Sequence, residues 1–182
     1  MRYPNGRLIV FAKAPVPGAV KTRLIPALGA DGAAALAGRL IARTLDMSRR
    51  CAAAPLELHV DPDGSHPFFR SLAEAPPLFA QQGADLGERM HHALTDALRT
   101  ADFAVLIGTD CPGMDCNYLQ QACAALAGGR DAVLGPAEDG GYVLIGVQRS
   151  EAALFAGVEW GSDQVLAQTR TRIAALGWRL FE

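Results

Sequence analysis

The chain has 182 residues, half of them hydrophobic and a fifth charged, with a formal net charge of −2. At about 150 residues per domain, this length suits a single domain spanning residues 1–182, large enough to bury its own core. The near balance of charge excludes the basic stripe that grips nucleic acid through its phosphates. The apolar runs read as too short to span a bilayer, and Met1 to Gly6 do not resemble a signal peptide, so the expectation is a cytoplasmic protein with no nucleic-acid partner and no membrane span.

In chain order, short apolar runs alternate with longer stretches of helical periodicity. RLIVFA (7–12) reads as the first strand, and Asp31 can cap a helix running to about Arg50, with Leu36, Leu40 and Ile41 on one face. LELHV (56–60) reads as a strand. The stretch from Asp61 to Pro77, with DPDGSHPFF and EAPP, reads as an irregular surface excursion, and PLFAQ (77–81) as a further strand candidate. Asp85 can cap a helix in which Leu86, Met90, Ala93, Leu94 and Ala97 keep helical spacing. FAVLIG (103–108) is a strand. Asp115 can cap the next helix, with Leu119, Ala122, Cys123 and Leu126 aligned and Gly128 and Gly129 stopping it. AVLG (132–135) and YVLIGV (142–147) are strands. Ser162 can cap a last helix, with Leu166, Thr169, Ile173 and Leu176 aligned and Gly177 ending it, and WRLFE (178–182) reads as a final short strand.

Strands alternating with helices predict βαβ units and a three-layer α/β/α sandwich around a mainly parallel sheet. Several strands are apolar throughout, as strands covered on both faces are. In such sheets ligands bind beyond the carboxyl ends of the strands, so the chemistry is expected in the loops that follow the apolar runs.

The first such loop is FAKAPVPGAVKTRL, residues 11–24. Neither GxxxxGK[ST] nor GxGxxG fits it, since Gly18 is its only glycine. Pro15 and Pro17 nevertheless stiffen it, Gly18 permits close backbone approach, and Lys13, Lys21 and Arg23 supply cations. That combination suits phosphate binding; a solvated basic loop is the plain alternative.

LIGTDCPGMD places Asp110 directly after a buried strand, and LGPAEDGGYVLIG places Glu138 and Asp139 before Gly140 and Gly141. An aspartate at a strand end beside a cationic loop suits Mg²⁺ or Mn²⁺, because such an ion needs only one or two carboxylates when substrate phosphates complete its shell. Ion and cations together would stabilise charge on a diphosphate leaving group. Asp110 also reads as a turn cap, and Asp139 as ordinary Asp-Gly turn chemistry. In QQGADLGERM, Asp85 and Gly87 open a helix whose free amides suit an anion or a polar base edge, with Arg89 adding charge. An N-cap followed by a surface arginine reads equally well there.

Cys51, Cys111, Cys116 and Cys123 contain no CxxC pair, which argues against a zinc knot, and all four are expected as free thiols packed like small hydrophobes. His91 and His92 are adjacent, so a helix points them apart and they share no metal; His59 is expected to pack within its strand. Trp160 reads as a core residue, with stacking on an acceptor or sugar as the alternative. No GxSxG elbow is present.

The stretches FAKAPVPGAVKTRL, DLGERM, GTDCPGM, GPAEDGGYVLIGV and EWGSDQVLAQT occur in order over most of the chain. On them the sequence resembles the small bacterial GT-A-type transferases called radical-SAM/selenodomain-associated transferase one, within the nucleotide-diphospho-sugar transferase superfamily. The resemblance implies a GT-A, Rossmann-like sandwich and kinship with molybdenum-cofactor and phospholactate nucleotidyltransferases. It matches Lys21 and Arg23, with Lys13, to the phosphate-binding loop and Asp110 to the metal-holding aspartate. Asp139 and its glycines match the loop facing the second substrate or the metal, and DLGERM the helix start lining the nucleotide pocket. The family pattern continues past the last helix into an Asp-x-Asp segment; the sequence ends at Glu182 before one, and the part that segment plays in the metal site or the sheet is left open.

The expectation is a metal-dependent transferase using a nucleotide-activated donor, a nucleotide-diphospho-sugar glycosyltransferase, with Asp110 and Asp139 as catalytic carboxylates and an acceptor still to be identified. A nucleotidyltransferase releasing pyrophosphate and a non-catalytic nucleotide-binding module are the alternatives. Donor base, sugar and oligomeric state are not legible.

Overall fold

A computed structural model describes residues 1–72 and 74–182. Its elements are β1 (Gly6–Lys13), α1 (Ile25–Cys51), β2 (Leu56–Asp61), α2 (Pro67–Arg70), β3 (Leu78–Ala80), α3 (Leu86–Ala97), β4 (Phe103–Ile107), α4 (Cys116–Ala127), β5 (Ala132–Pro136), β6 (Tyr142–Val147), α5 (Ala152–Phe155), α6 (Val165–Ala175) and β7 (Leu180–Phe181). The strands form one seven-stranded sheet in the order β3-β2-β1-β4-β6-β5-β7. All neighbours pair in parallel except β6, which runs antiparallel to both β4 and β5. The reason is local: residues 137–141 are too few for a crossover, so β5 and β6 can only fold back as a hairpin.

The pleat divides the core. Leu8, Val10, Leu58, Val60, Val105 and Ile107 pack with Ile41 and Leu45 of α1 and Leu119, Ala122, Cys123 and Leu126 of α4. Ile9, Phe11, Leu106, Leu134, Ile145 and Val147 pack on the other face with Met90, Ala93 and Leu94 of α3, Leu154 and Phe155 of α5 and Ile173 of α6. Both faces of the central strands are therefore covered, which is why their sequences are apolar at successive positions rather than alternating. The sandwich is the one expected.

Helix starts follow their capping chemistry. Asp85 accepts from the Glu88 N–H at 2.8 Å while the Glu88 carboxylate accepts from the Ala84 N–H at 2.8 Å, a variant of the reciprocal capping box. Asp115 caps α4 by accepting from the Tyr118 N–H at 2.9 Å. Two starts differ from expectation. α1 begins at Ile25 with Pro26 in its first turn and breaks at Gly29 (φ 69°, ψ 166°), so Asp31 lies just beyond a kink. α6 begins at Val165; Ser162 instead accepts from the Gln164 N–H at 3.2 Å in a turn ahead of the helix. Within the irregular stretch 61–77, His66 caps the short α2 through Nδ1, accepting from Phe68 N–H, and residue 73 lies outside the described residues.

Two further expectations are corrected. Cys51 and Cys116 are not free thiols: the end of α1 and the start of α4 bring their Cα atoms to 5.0 Å, and they form a disulfide. Cys111 and Cys123 are free. The helical stretch Thr22–Cys51 is also long and apolar enough, by length and composition, to cross a membrane, contrary to the reading of its apolar runs. Here Ile41 and Leu45 pack on the sheet, Ala34 and Ala37 pack with Val20 of the first loop, and Gly29 interrupts the helix.

At the far end of the sheet, Asp131 accepts from the Arg179 N–H and the Arg179 guanidinium, both at 2.9 Å, tying β5 to β7. These hydrogen bonds hold its carboxyl below the usual carboxylate range. A depressed folded-state value stabilises the fold above the ordinary value and loses that contribution as pH falls. Asp131→Asn should therefore lower stability at neutral pH and flatten the acid limb of a denaturation midpoint plotted against pH. Truncating Leu119, fully buried on the sheet-facing side of α4, to Ala should cost about 2–5 kcal/mol, read by urea unfolding.

Candidate active site

The rim at the carboxyl ends of β1 and β4 gathers the informative loops. β6 starts at this rim because it is antiparallel: Leu144 pairs with Ile107 of β4, and Tyr142 with Pro136 of β5. The loops after Lys13, Ile107 and Pro136 consequently meet at one edge of the sheet.

In the first loop, Lys21 adopts the left-handed region (φ 49°, ψ 39°) and opens a 3₁₀ turn over Thr22–Leu24. A non-glycine residue there costs roughly 1–2 kcal/mol. The turn is closed by a Leu24 N–H to Lys21 carbonyl bond of 2.8 Å. It sends the Lys21 ammonium onto the Asp110 carboxylate, with which it forms an ion pair. The Lys21 side chain is 16% exposed and that of Asp110 72%, so the lysine is packed in place while the carboxylate stands in solvent.

Three cavities open along this rim. The first, about 500 Å³, is lined by Lys13, Lys21, Thr22, Arg23, Thr109 and Asp110. The second, about 400 Å³, has an apolar floor of Phe11, Leu86, Met90 and Leu106, with Arg23, Asp139, Tyr142, Trp160, Ser162 and Asp163 around it. The third, about 820 Å³, lies between the Asp110–Asp115 loop and the hairpin residues Pro136–Asp139. Arg23 is common to the first and second, Asp110 to the first and third, and Asp139 to the second and third. The three chambers therefore adjoin at charged side chains.

The hairpin tip is built for its position. Asp139 accepts from the Gly141 N–H at 3.1 Å, and the Ala137 N–H donates to the Gly141 carbonyl at 3.0 Å. The Gly140 carbonyl accepts from the Leu166 N–H at 2.8 Å, docking the tip on the start of α6. Gly140 has φ +83°, and a Cβ there would sit 2.1 Å from the Asp163 carbonyl oxygen. Tyr142 is buried enough that its phenol is pushed well above its ordinary value, only partly offset by the Thr169 hydroxyl. The two hydroxyls stop short of hydrogen-bond geometry, each lacking a partner among the described residues. Tyr142 is thus held as a neutral phenol, a hydrogen-bond donor rather than an acid or a phenolate base.

Of the residues singled out in the sequence, Lys13, Lys21, Arg23, Asp110, Glu138, Asp139 and Gly141 line these chambers. Gly18 (φ +82°) serves an exposed turn with open space around it. Asp85 caps α3, and Gly87 gives room to the Trp160 ring, which a Cβ would meet at 2.7 Å. Arg89 is engaged elsewhere, with Asp61 at 3.3 Å and the Gly83 carbonyl at 3.2 Å, and lines none of the three chambers. Phe11, Tyr142, Ser162 and Asp163 line the second cavity without having been assigned a site role from sequence. The motif EWGSD carried an aromatic and an acid, but tertiary contacts, Trp160 over Gly87 and the Gly140–Leu166 bond, bring it to this rim.

Among the described residues, no group of three or more His, Cys, Asp or Glu side chains is placed to hold a metal ion. Asp110, exposed at the strand end beside the cationic loop, fits a divalent cation whose remaining ligands come from substrate phosphates; Asp139 lines the third cavity with it. Gly140→Ala should distort the hairpin and lower stability by about 1–3 kcal/mol, read as a fall in thermal midpoint. The same substitution at Gly18, where space is open, meets no neighbour and should cost less.

Comparison with solved structures places this architecture. A protein from Desulfovibrio desulfuricans G20, described as a "putative nucleotide-diphospho-sugar transferase", is 35% identical with a TM-score of 0.89, the match covering 98% of this chain and 79% of that one. A cytidylyltransferase from Leptospira borgpetersenii matches at 11% identity and a TM-score of 0.59, over 99% of this chain and 76% of the other. A CMP:2-keto-3-deoxy-manno-octonic acid synthetase solved with CTP matches at 7% identity and a TM-score of 0.62, over 98% and 89%. The last two bear on the fold alone, and the fold is the nucleotide-diphospho-sugar transferase sandwich expected. A comparison with curated proteins gives no match. The family described as "Uncharacterized protein conserved in bacteria (DUF2064)" matches residues 44–162, and the chain belongs to that family.

Proposed function

We propose that the chain is a single-domain transferase that takes a nucleotide-diphospho-sugar as donor and passes the sugar to a small acceptor. The observation that carries this reading is the meeting of Lys13, Lys21 and Arg23 with Asp110 in one chamber at the rim. Such a chamber attracts a diphosphate while offering a carboxylate to the cation that accompanies it. The 35% identical Desulfovibrio protein, described in the same terms, supports it.

In this reading Lys13, Lys21 and Arg23 hold the diphosphate, the arginine as a fork and the lysines as point charges. The apolar floor of Phe11 and Leu86, beside Trp160, takes the nucleoside. Gly18 lets the loop turn over the phosphates, and Asp85, Gly87 and Arg89 set the start of α3 that carries Leu86. Asp110 would hold Mg²⁺ or Mn²⁺ brought with the phosphates, and the ion would supply positive charge beside the leaving group; Asp139 is left free to act on the acceptor. Glu138, Asp139, Gly140 and Gly141 face the acceptor.

An acceptor hydroxyl oxygen bonds to the anomeric carbon as the bond from that carbon to the diphosphate oxygen breaks. The electron pair leaves on the nucleoside diphosphate, and the hydroxyl proton passes to the Asp139 carboxylate. No covalent enzyme intermediate is required. Neither sulfur of the Cys51–Cys116 bond takes part; the bond itself would be exposed to reduction in a cytoplasmic setting.

Lys21→Ala and Arg23→Ala should each weaken UDP, GDP, CDP and ADP alike, by roughly tenfold or more for a lost charge-assisted contact, in calorimetric titration. Asp110→Asn should abolish the extra thermal shift that Mn²⁺ adds to nucleotide. Selective loss of one base, or an unaltered Mn²⁺ increment, would contradict these assignments. Turnover should release nucleoside diphosphate; pyrophosphate would mean nucleotidyl transfer instead.

A further inference from the structure

The segment that leads from the first loop into α1 exposes a group of apolar side chains. From Val16 to Gly29, Val20 alone is buried, packed with Ala34 and Ala37 of α1. Val16 and Leu24 are each 39% exposed, and Leu28 is 47% exposed. Leu24 and Leu28 stand four residues apart across the turn that opens α1, so they project from one face of it. Gly29 breaks the helix directly after that turn, which therefore leaves the line of the helix lying on the sheet. Single exposed leucines are ordinary on a protein surface, whereas a group of them on one turn points to a covering partner.

The charge around the group has one sign. From Lys13 to Arg43 the chain carries Lys13, Lys21, Arg23, Arg39 and Arg43 against the single acid Asp31, although its net charge is −2. Lys21 is paired with Asp110; Arg43 donates to the Pro112 carbonyl at 2.6 Å, a neutral group that leaves its charge uncompensated. Lys13, Arg23 and Arg39 are exposed. Beside the loop a fourth cavity, about 460 Å³, is lined by Pro15, Ala34, Ala35, Ala42 and Phe68, with Arg39 and His66 but no Asp or Glu.

We propose that this face docks on an anionic phospholipid bilayer, with Leu24 and Leu28 entering the acyl boundary and the cations lying among the headgroup phosphates. Such docking is peripheral and involves no span. The exposed groups are aliphatic, as acyl chains favour, whereas single-stranded nucleic acid calls for aromatic platforms. A second copy of the chain, meeting this face about a two-fold axis, would set like charges against each other. The proposal stands independently of the transferase reading.

Co-sedimentation of the full chain with vesicles tests it, one set of phosphatidylcholine alone and one containing about a third phosphatidylglycerol. The mixed vesicles should bind at least about tenfold better, and high salt should narrow the gap. Leu24→Gln with Leu28→Gln should lower binding by about tenfold or more, and Arg39→Gln by roughly fivefold. All three side chains are exposed, so thermal midpoints should stay near that of the unaltered chain. Inorganic pyrophosphate should leave most of the binding in place, since Leu28 and Arg39 do not line the phosphate chamber. No preference for the anionic vesicles, undiminished binding in the double variant, or complete loss with pyrophosphate would each overturn the proposal. A concentration-dependent dimer abolished by the double variant would overturn it too, giving the face to a second copy.

Discussion

The ion pair between Lys21 and Asp110 is the contact on which the rest of the rim depends. It joins the loop after β1 to the loop after β4, two segments that parallel pairing brings side by side but that no strand hydrogen bond connects beyond Val10 and Ile107. Its asymmetry gives it a use. The lysine is packed and the aspartate exposed; in the proposed reading the carboxylate exchanges its partner for an incoming cation while the ammonium stays where a phosphate would find it.

The reversal of β6 matters as much as any side chain. β5 runs in the same direction as β4, so its carboxyl end lies at the rim, and the short connection keeps Asp139 there where a crossover helix would lead the chain away. As an antiparallel hairpin the tip returns to the rim, and the Gly140–Leu166 bond then draws in the start of α6 with Ser162 and Asp163. One local constraint, a connection too short to cross over, brings a third of the site into register with the other two loops.

Much of this was legible in the residues. Continuous apolar runs located β1, β4, β5 and β6 because both sheet faces are covered, and Asp85 and Asp115 announced α3 and α4 because a carboxylate is what their free amides require. Lys13, Lys21, Arg23, Asp110 and Asp139 were visible because strand ends are where this fold presents ligand groups. The second cavity was not visible, since it depends on tertiary contacts: Trp160 lies over Gly87, and Phe11 fills the sheet face beneath it. Arg89 looked like a free cation until Asp61, distant in sequence, proved to be its partner. The disulfide escaped for the same reason, its cysteines being 65 residues apart.

That covalent link braces the rim from beneath. The segment bearing Asp110 is anchored at both ends, by β4 before it and by Cys116 immediately past the Asp115 cap. Cys51 stands at the end of α1, the helix that the lysine-bearing loop leads into, so the same bond also holds that helix. Both partners of the Lys21–Asp110 pair are therefore carried by segments that one cross-link ties to a common frame.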